Sequence, residues 1–94
     1  MFQKTTIANT TLTLANTEYE YAIPAGTRKI MLSARNAGGD IKFAFTTGLS
    51  GTTYMTILAG GTWSVDGVYL RGQSLFMQSP TAGVVVEALT FQDN

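Results

Sequence analysis

The chain contains neither cysteine nor histidine. Without thiols there can be no disulfide and no thiolate nucleophile. Without imidazole the commonest general base and the usual zinc ligand are gone. Charge is also scarce: 13% of residues are Asp, Glu, Lys or Arg, against a typical ~25%, and six cations balance six anions. A neutral, charge-poor surface does not attract polyphosphate, which argues against nucleic acid as a partner. No apolar run approaches the ~18 residues of a membrane span, so no membrane partner is expected. The opening MFQKTTIANTTLTL lacks the apolar centre of a signal peptide. Without a secretory signal, Asn9-Thr10-Thr11 is read as a chance sequon.

What the chain does have is 45% apolar residues, fifteen threonines and ten glycines, with only two prolines, in 94 residues. Threonine suits pleated surfaces and glycine marks turns. No window sustains a 3.6-residue period, so no long helix is expected. Strands follow from alternation between turn residues. Phe2 to Ala8 reads as an extended arm and Thr11 to Ala15 as a first strand, with Leu12 and Leu14 on one face. Glu18 to Ile23 sets Tyr19, Tyr21 and Ile23 inward and Glu18 and Glu20 outward. After the turn Pro24-Ala25-Gly26-Thr27, the strand Arg28 to Arg35 sets Ile30, Leu32 and Ala34 inward. Ile41 to Thr47 sets Ile41, Phe43 and Phe45 inward and Ala44 outward. Thr53 to Leu58 has an ambiguous register, Tyr54 and Leu58 competing with Met55 and Ile57. Trp63 to Val65, the hairpin signal Asp66-Gly67 and Val68 to Arg71 follow, then Ser74 to Gln78 and the last strand from Val84 to Phe91.

Eight to nine short strands with frequent turns predict an all-β fold, an antiparallel β-sandwich, with a jelly roll among the compatible connectivities. The chain reads as a single domain overall. Residues 1–17 form an N-terminal extended arm and first strand, and 18–94 the β-sandwich domain.

The final strand is apolar on both faces. Val84, Val86 and Ala88 point one way, and Val85, Leu89 and Phe91 the other. A half-buried strand should alternate apolar and polar. Two arrangements account for the second face: the N-terminal arm covers it through Phe2 and Ile7, or a neighbouring subunit meets it. Met31 and Ala44, phased outward, favour the subunit.

Catalytic and ligand-binding constellations are weak. Glu18 and Glu20 share a strand face, but paired glycosidase carboxylates come from opposed elements. Asn36, Asp40 and Asp66 fall in loops without a calcium-loop spacing. Gly38-Gly39 and Gly60-Gly61 open no helix carrying a lysine, so neither is a phosphate loop. The expectation is a protein that is not an enzyme and holds no metal and no cofactor. Trp63, Tyr69 and Tyr54 can be core residues, an interface, or an aromatic platform for a glycan.

Three stretches, IPAGTRKIMLSARNAGGDIKFAF (23–45), GTTYMTILAGGTW (51–63) and YLRGQSLFMQSPTAGVVVEALTF (69–91), resemble the small all-β virion proteins of tailed bacteriophages, of the capsid decoration or cement type. The resemblance implies a protein on the outer capsid surface that binds the major capsid protein and itself, as a trimer or dimer, and stabilises the shell. The expected interface comprises Phe2, Lys4, Ile7, Met31, Val85, Leu89 and Phe91, with the arm as a clamp. The alternatives are a tail- or fibre-associated glycan-binding module using Trp63 and Tyr69, or a head–tail connector component.

Overall fold

Apolar residues at every second position bury one side of each strand, and two such sides meet as a sandwich. The computed structural model describes residues 4–35, 38–67 and 73–93. Among these the chain forms eight strands: β1 (Lys4–Leu12), β2 (Tyr19–Ala22), β3 (Thr27–Ala34), β4 (Ile41–Ala44), β5 (Met55–Ile57), β6 (Thr62–Asp66), β7 (Ser74–Gln78) and β8 (Val84–Gln92). They make two four-stranded antiparallel sheets, ordered β1-β8-β3-β6 and β2-β7-β4-β5. The all-β, sandwich-like architecture expected from the strand pattern is therefore present.

Strand β1 pairs with β8, β2 with β7, β3 with β6 and β4 with β5, and β3 with β8 and β4 with β7 close each sheet. The first four pairs alternate between the two sheets. The chain is thus a long antiparallel ribbon folded back on itself and wound into two layers.

The core lies between the layers. Leu12, Ile30, Leu32, Ala34, Val84, Val86 and Ala88 bury against Ile23, Ile41, Phe43, Ile57, Leu75 and Met77. Each large aliphatic side chain removed from water in this way contributes about 1.5–3 kcal/mol. The inward phase expected for Ile30, Leu32 and Ala34 is the observed one, and so is that of Val84, Val86 and Ala88.

Four expectations need correction. From Lys4 on, the arm and the first strand are one continuous strand, β1, because residues 4–12 pair in unbroken register with β8. The Thr11 to Ala15 strand consequently ends at Leu12, and Leu14 is 61% exposed in the turn that follows. That turn is fixed by Asn16 in a left-handed conformation (φ 55°) and by its N–H donating to the Ser79 carbonyl at 2.7 Å. β4 stops at Ala44, so Phe45 leaves the sheet and is 38% exposed. Ala44 points to the outer side but is buried, since it lines a depression shared with Leu49 and Thr53 of the β4–β5 loop. Asn36, the strand expected over Val68 to Arg71, and Tyr69 lie outside the described residues.

The Pro24-Ala25-Gly26-Thr27 turn works as its composition dictates. Gly26 has φ 79°, and a β-carbon there would stand 2.5 Å from the Asp93 carbonyl oxygen. The Gly26 carbonyl accepts the Asp93 N–H at 2.9 Å, which ties the end of β8 to the start of β3.

Candidate functional site

The second face of β8 belongs to the outer side of the sheet β1-β8-β3-β6. In an antiparallel ladder, directly opposed residues share a face, so the register gives the map of that side. Ile7 opposes Leu89, and Leu89 opposes Met31 on its other side, so three apolar side chains form one row across β1, β8 and β3. The row ends at Ser64 on β6. One step along the strands, Thr5, Phe91, Lys29 and Asp66 form the next row. In the other direction come Asn9, Glu87, Ser33 and Thr62, followed by Thr11 and Val85.

The apolar row is accessible. Ile7 is 72% exposed, and Met31, Val85, Leu89 and Phe91 are partly exposed. Ile7, Met31 and Leu89 line a shallow groove together with Arg35 and Glu87. Charges frame it at both ends. Arg35 Nε donates to Glu87 Oε2 at 2.8 Å, and the Lys29 ammonium lies 5.3 Å from the centre of the Phe91 ring. Both contacts are solvent-accessible and contribute little to stability, but they give the groove a polar rim.

Of the two arrangements open for β8, the described part of the arm does not supply the cover: residues 4–12 lie beside β8 in the plane of the sheet and not across its face. Ile7, Met31, Val85, Leu89 and Phe91 are brought together on one side. Lys4 alternates to the other side and is exposed at the end of β1, so it is not part of the row. Phe2 is outside the described residues.

Trp63 faces inward. Its ring centroid is 4.8 Å from that of Phe43 in the opposite sheet, at a tilt of 58°, so it packs the core instead of presenting a platform. Tyr54 is exposed, with the Lys42 ammonium 5.0 Å from its ring centre. Together with Phe45 and Met55 it lines a shallow depression and makes a second exposed apolar region, at the end of the β4–β5 hairpin. The short β5 hides this region from alternation arguments.

Asp40, Asp66 and Glu18 have structural partners. Asp40 accepts the Ala59 N–H at 2.8 Å and Asp66 the Gly67 N–H at 2.7 Å. Glu18 accepts the Gly48 N–H at 2.8 Å, the Ser50 N–H at 3.2 Å and the Ser50 hydroxyl. These bonds hold its carboxyl below the usual carboxylate range, the Ser50 hydroxyl contributing most. Nothing in the sequence signalled this network, since its members lie about thirty residues apart. Among the described residues no group of three acidic, histidine or cysteine side chains could hold a metal ion, and no helix is long and apolar enough to cross a membrane.

No family model matches the chain, and no curated protein matches it. Among solved structures it is similar to the solution NMR structure of a de novo designed double-stranded beta-helix. The TM-score is 0.55 at 13% identity, with 96% of this chain and 100% of that chain covered. At that identity the likeness is one of fold.

Proposed function

We propose that the chain is a structural protein of a tailed-phage virion, of the capsid decoration type, which docks on the outer surface of the assembled shell. The observation that carries this reading is the accessible row Ile7–Leu89–Met31, flanked on the same sheet face by Phe91 and Val85 and rimmed by polar residues. A contiguous apolar surface with a polar rim has the anatomy of a protein–protein contact. The low charge and zero net charge of the chain favour packing against protein over binding polyanions. The wound antiparallel ribbon, read as a jelly roll, is a kind of sandwich common among viral capsid domains. A molecule that binds the closed shell and not its separated subunits stabilises the shell by mass action. No observation favours the glycan-binding alternative, because Trp63 is turned into the core.

The test adds the purified chain to phage shells that lack it. The expected result is binding in high copy number relative to the major capsid protein, with a higher melting temperature of the shell. Leu89→Glu places a charge in the middle of the row and should lower occupancy tenfold or more, while leaving the strand content of the free chain unchanged. Equal occupancy by wild type and Leu89→Glu would overturn the assignment of the docking face. Shells no more heat-stable with the protein than without it would overturn the cementing role.

A further inference from the structure

A free sheet edge is a template for another strand, and proteins blunt such edges with short strands, charges, prolines or bulges. Among the described residues, three of the four sheet edges are blunted. β5 has three residues, β2 has four and carries Glu20, and β6 has five and ends in Asp66. β1 differs. It is nine residues long, contains no proline, pairs with β8 without a register shift and carries one charge, Lys4, at its first position.

The direction of its backbone groups can be assigned. The Leu12 carbonyl accepts the Gly83 N–H at 2.8 Å, and the Thr6 carbonyl accepts the Thr90 hydroxyl at 3.3 Å. Even-numbered positions of β1 therefore turn their carbonyls toward β8. The odd positions Thr5, Ile7, Asn9 and Thr11 turn N–H and C=O outward, and all four are exposed.

An incoming antiparallel strand must set its own outward-facing residues against these. A second copy of β1 does so about a two-fold axis through Ile7. Ile7 then meets its own counterpart, Thr5 meets Asn9, and Lys4 meets Thr10, so no like charges are opposed. The row Met31–Leu89–Ile7 runs directly into the same row of the second copy, giving one apolar stripe across two molecules. Moving the axis to Ala8 would set Ile7 against Asn9 and break that stripe.

We propose that the chain pairs with a second copy of itself through β1, antiparallel about a two-fold axis at Ile7, so that two four-stranded sheets become one. Such a contact is isologous and closed, and it does not propagate. It deepens the docking reading by naming the self-partner and its surface, and it rests on that reading only for the use made of the joined stripe.

Sedimentation of the full-length chain at about 100 μM should show a dimer, since weak edge pairing is visible only well above its dissociation constant. Ile7→Lys sets two ammonium groups against each other and should give a monomer with unchanged strand content. The chain has no cysteine of its own, so Ile7→Cys supplies one thiol per molecule. Opposed residues of a hydrogen-bonded antiparallel pair lie ~5.5 Å apart at Cα, within disulfide range. Oxidation should therefore convert most of Ile7→Cys to a covalent dimer, while Ser64→Cys, at the far end of the same row, should stay largely uncrosslinked. A wild-type monomer or trimer, a dimeric Ile7→Lys, or equal cross-linking of the two cysteine variants would overturn the proposal. A monomer that still occupies shells would overturn this pairing alone and leave the docking face standing.

Discussion

Glu18 grips Ser50 twice, its carboxylate accepting both the backbone N–H and the hydroxyl of that residue. Ser50 is fully buried, and its hydroxyl oxygen in turn accepts Gln78 Nε2 at 2.9 Å. With the Gly48 N–H also on the carboxylate, the loop between β4 and β5 is fastened to the start of β2 and the end of β7.

This latch has a defined pH dependence. The folded-state pKa of Glu18 is lowered from 4.5, so its stabilisation is present in full above that value. It is lost as pH falls through the depressed folded-state pKa. Glu18→Gln keeps the shape but donates where the carboxylate accepts. We expect it to cost about 1 kcal/mol at pH 7, at the low end for bonds to a charged group because the carboxylate is largely solvated. The difference from wild type should shrink below pH 4. Denaturant unfolding at pH 7 and pH 3 checks both statements.

Tyr21 offers the opposite case. Its hydroxyl oxygen is buried without a hydrogen-bond partner of good geometry. Burial pushes its pKa above 10, and the Thr90 hydroxyl nearby offsets this only in part. Removing an unsatisfied buried hydroxyl relieves a desolvation penalty, so Tyr21→Phe should leave stability unchanged or raise it by up to about 1 kcal/mol. Ionisation is harder in the folded state, so wild-type stability should decline as pH rises past 10, and Tyr21→Phe should lose less. Thermal melts at pH 7 and pH 10.5 distinguish this from a Tyr21 hydroxyl that supports the fold.

The residues that proved legible in the sequence are those whose environment is set by strand periodicity. Ile30, Leu32 and Ala34 alternate with Lys29, Met31 and Ser33, and burial follows that alternation along β3. The doubly apolar β8 raised the question of what meets its second face, because a strand apolar on both sides needs a second apolar environment; that face is the outer side of its sheet. Periodicity fails where a strand ends early. Phe45 continues the inward phase of Ile41 and Phe43 in sequence, but β4 has already stopped. It also says nothing about which strand lies beside which. The in-plane position of β1 beside β8, and the Glu18–Ser50–Gln78 network, depend on contacts between residues far apart in the chain.

Met31 and Leu32 are sequence neighbours on opposite faces of β3, and this separates stability from interaction. Leu32 is fully buried within the core. Truncation to alanine removes its packing and leaves a cavity, so Leu32→Ala should cost about 2–5 kcal/mol. Met31 opposes Leu89 on the outer side and is partly exposed. Met31→Ala should therefore cost under about 1 kcal/mol in chemical unfolding of the isolated chain. If the outer row is a contact surface, the ranking reverses in an assay of association. Met31→Ala should weaken attachment to shells several-fold, whereas Leu32→Ala, once folded, should bind as wild type does. A Met31→Ala protein that is both as stable and as adherent as wild type would show that β3 contributes nothing to the surface, confining the contact to Ile7 and β8.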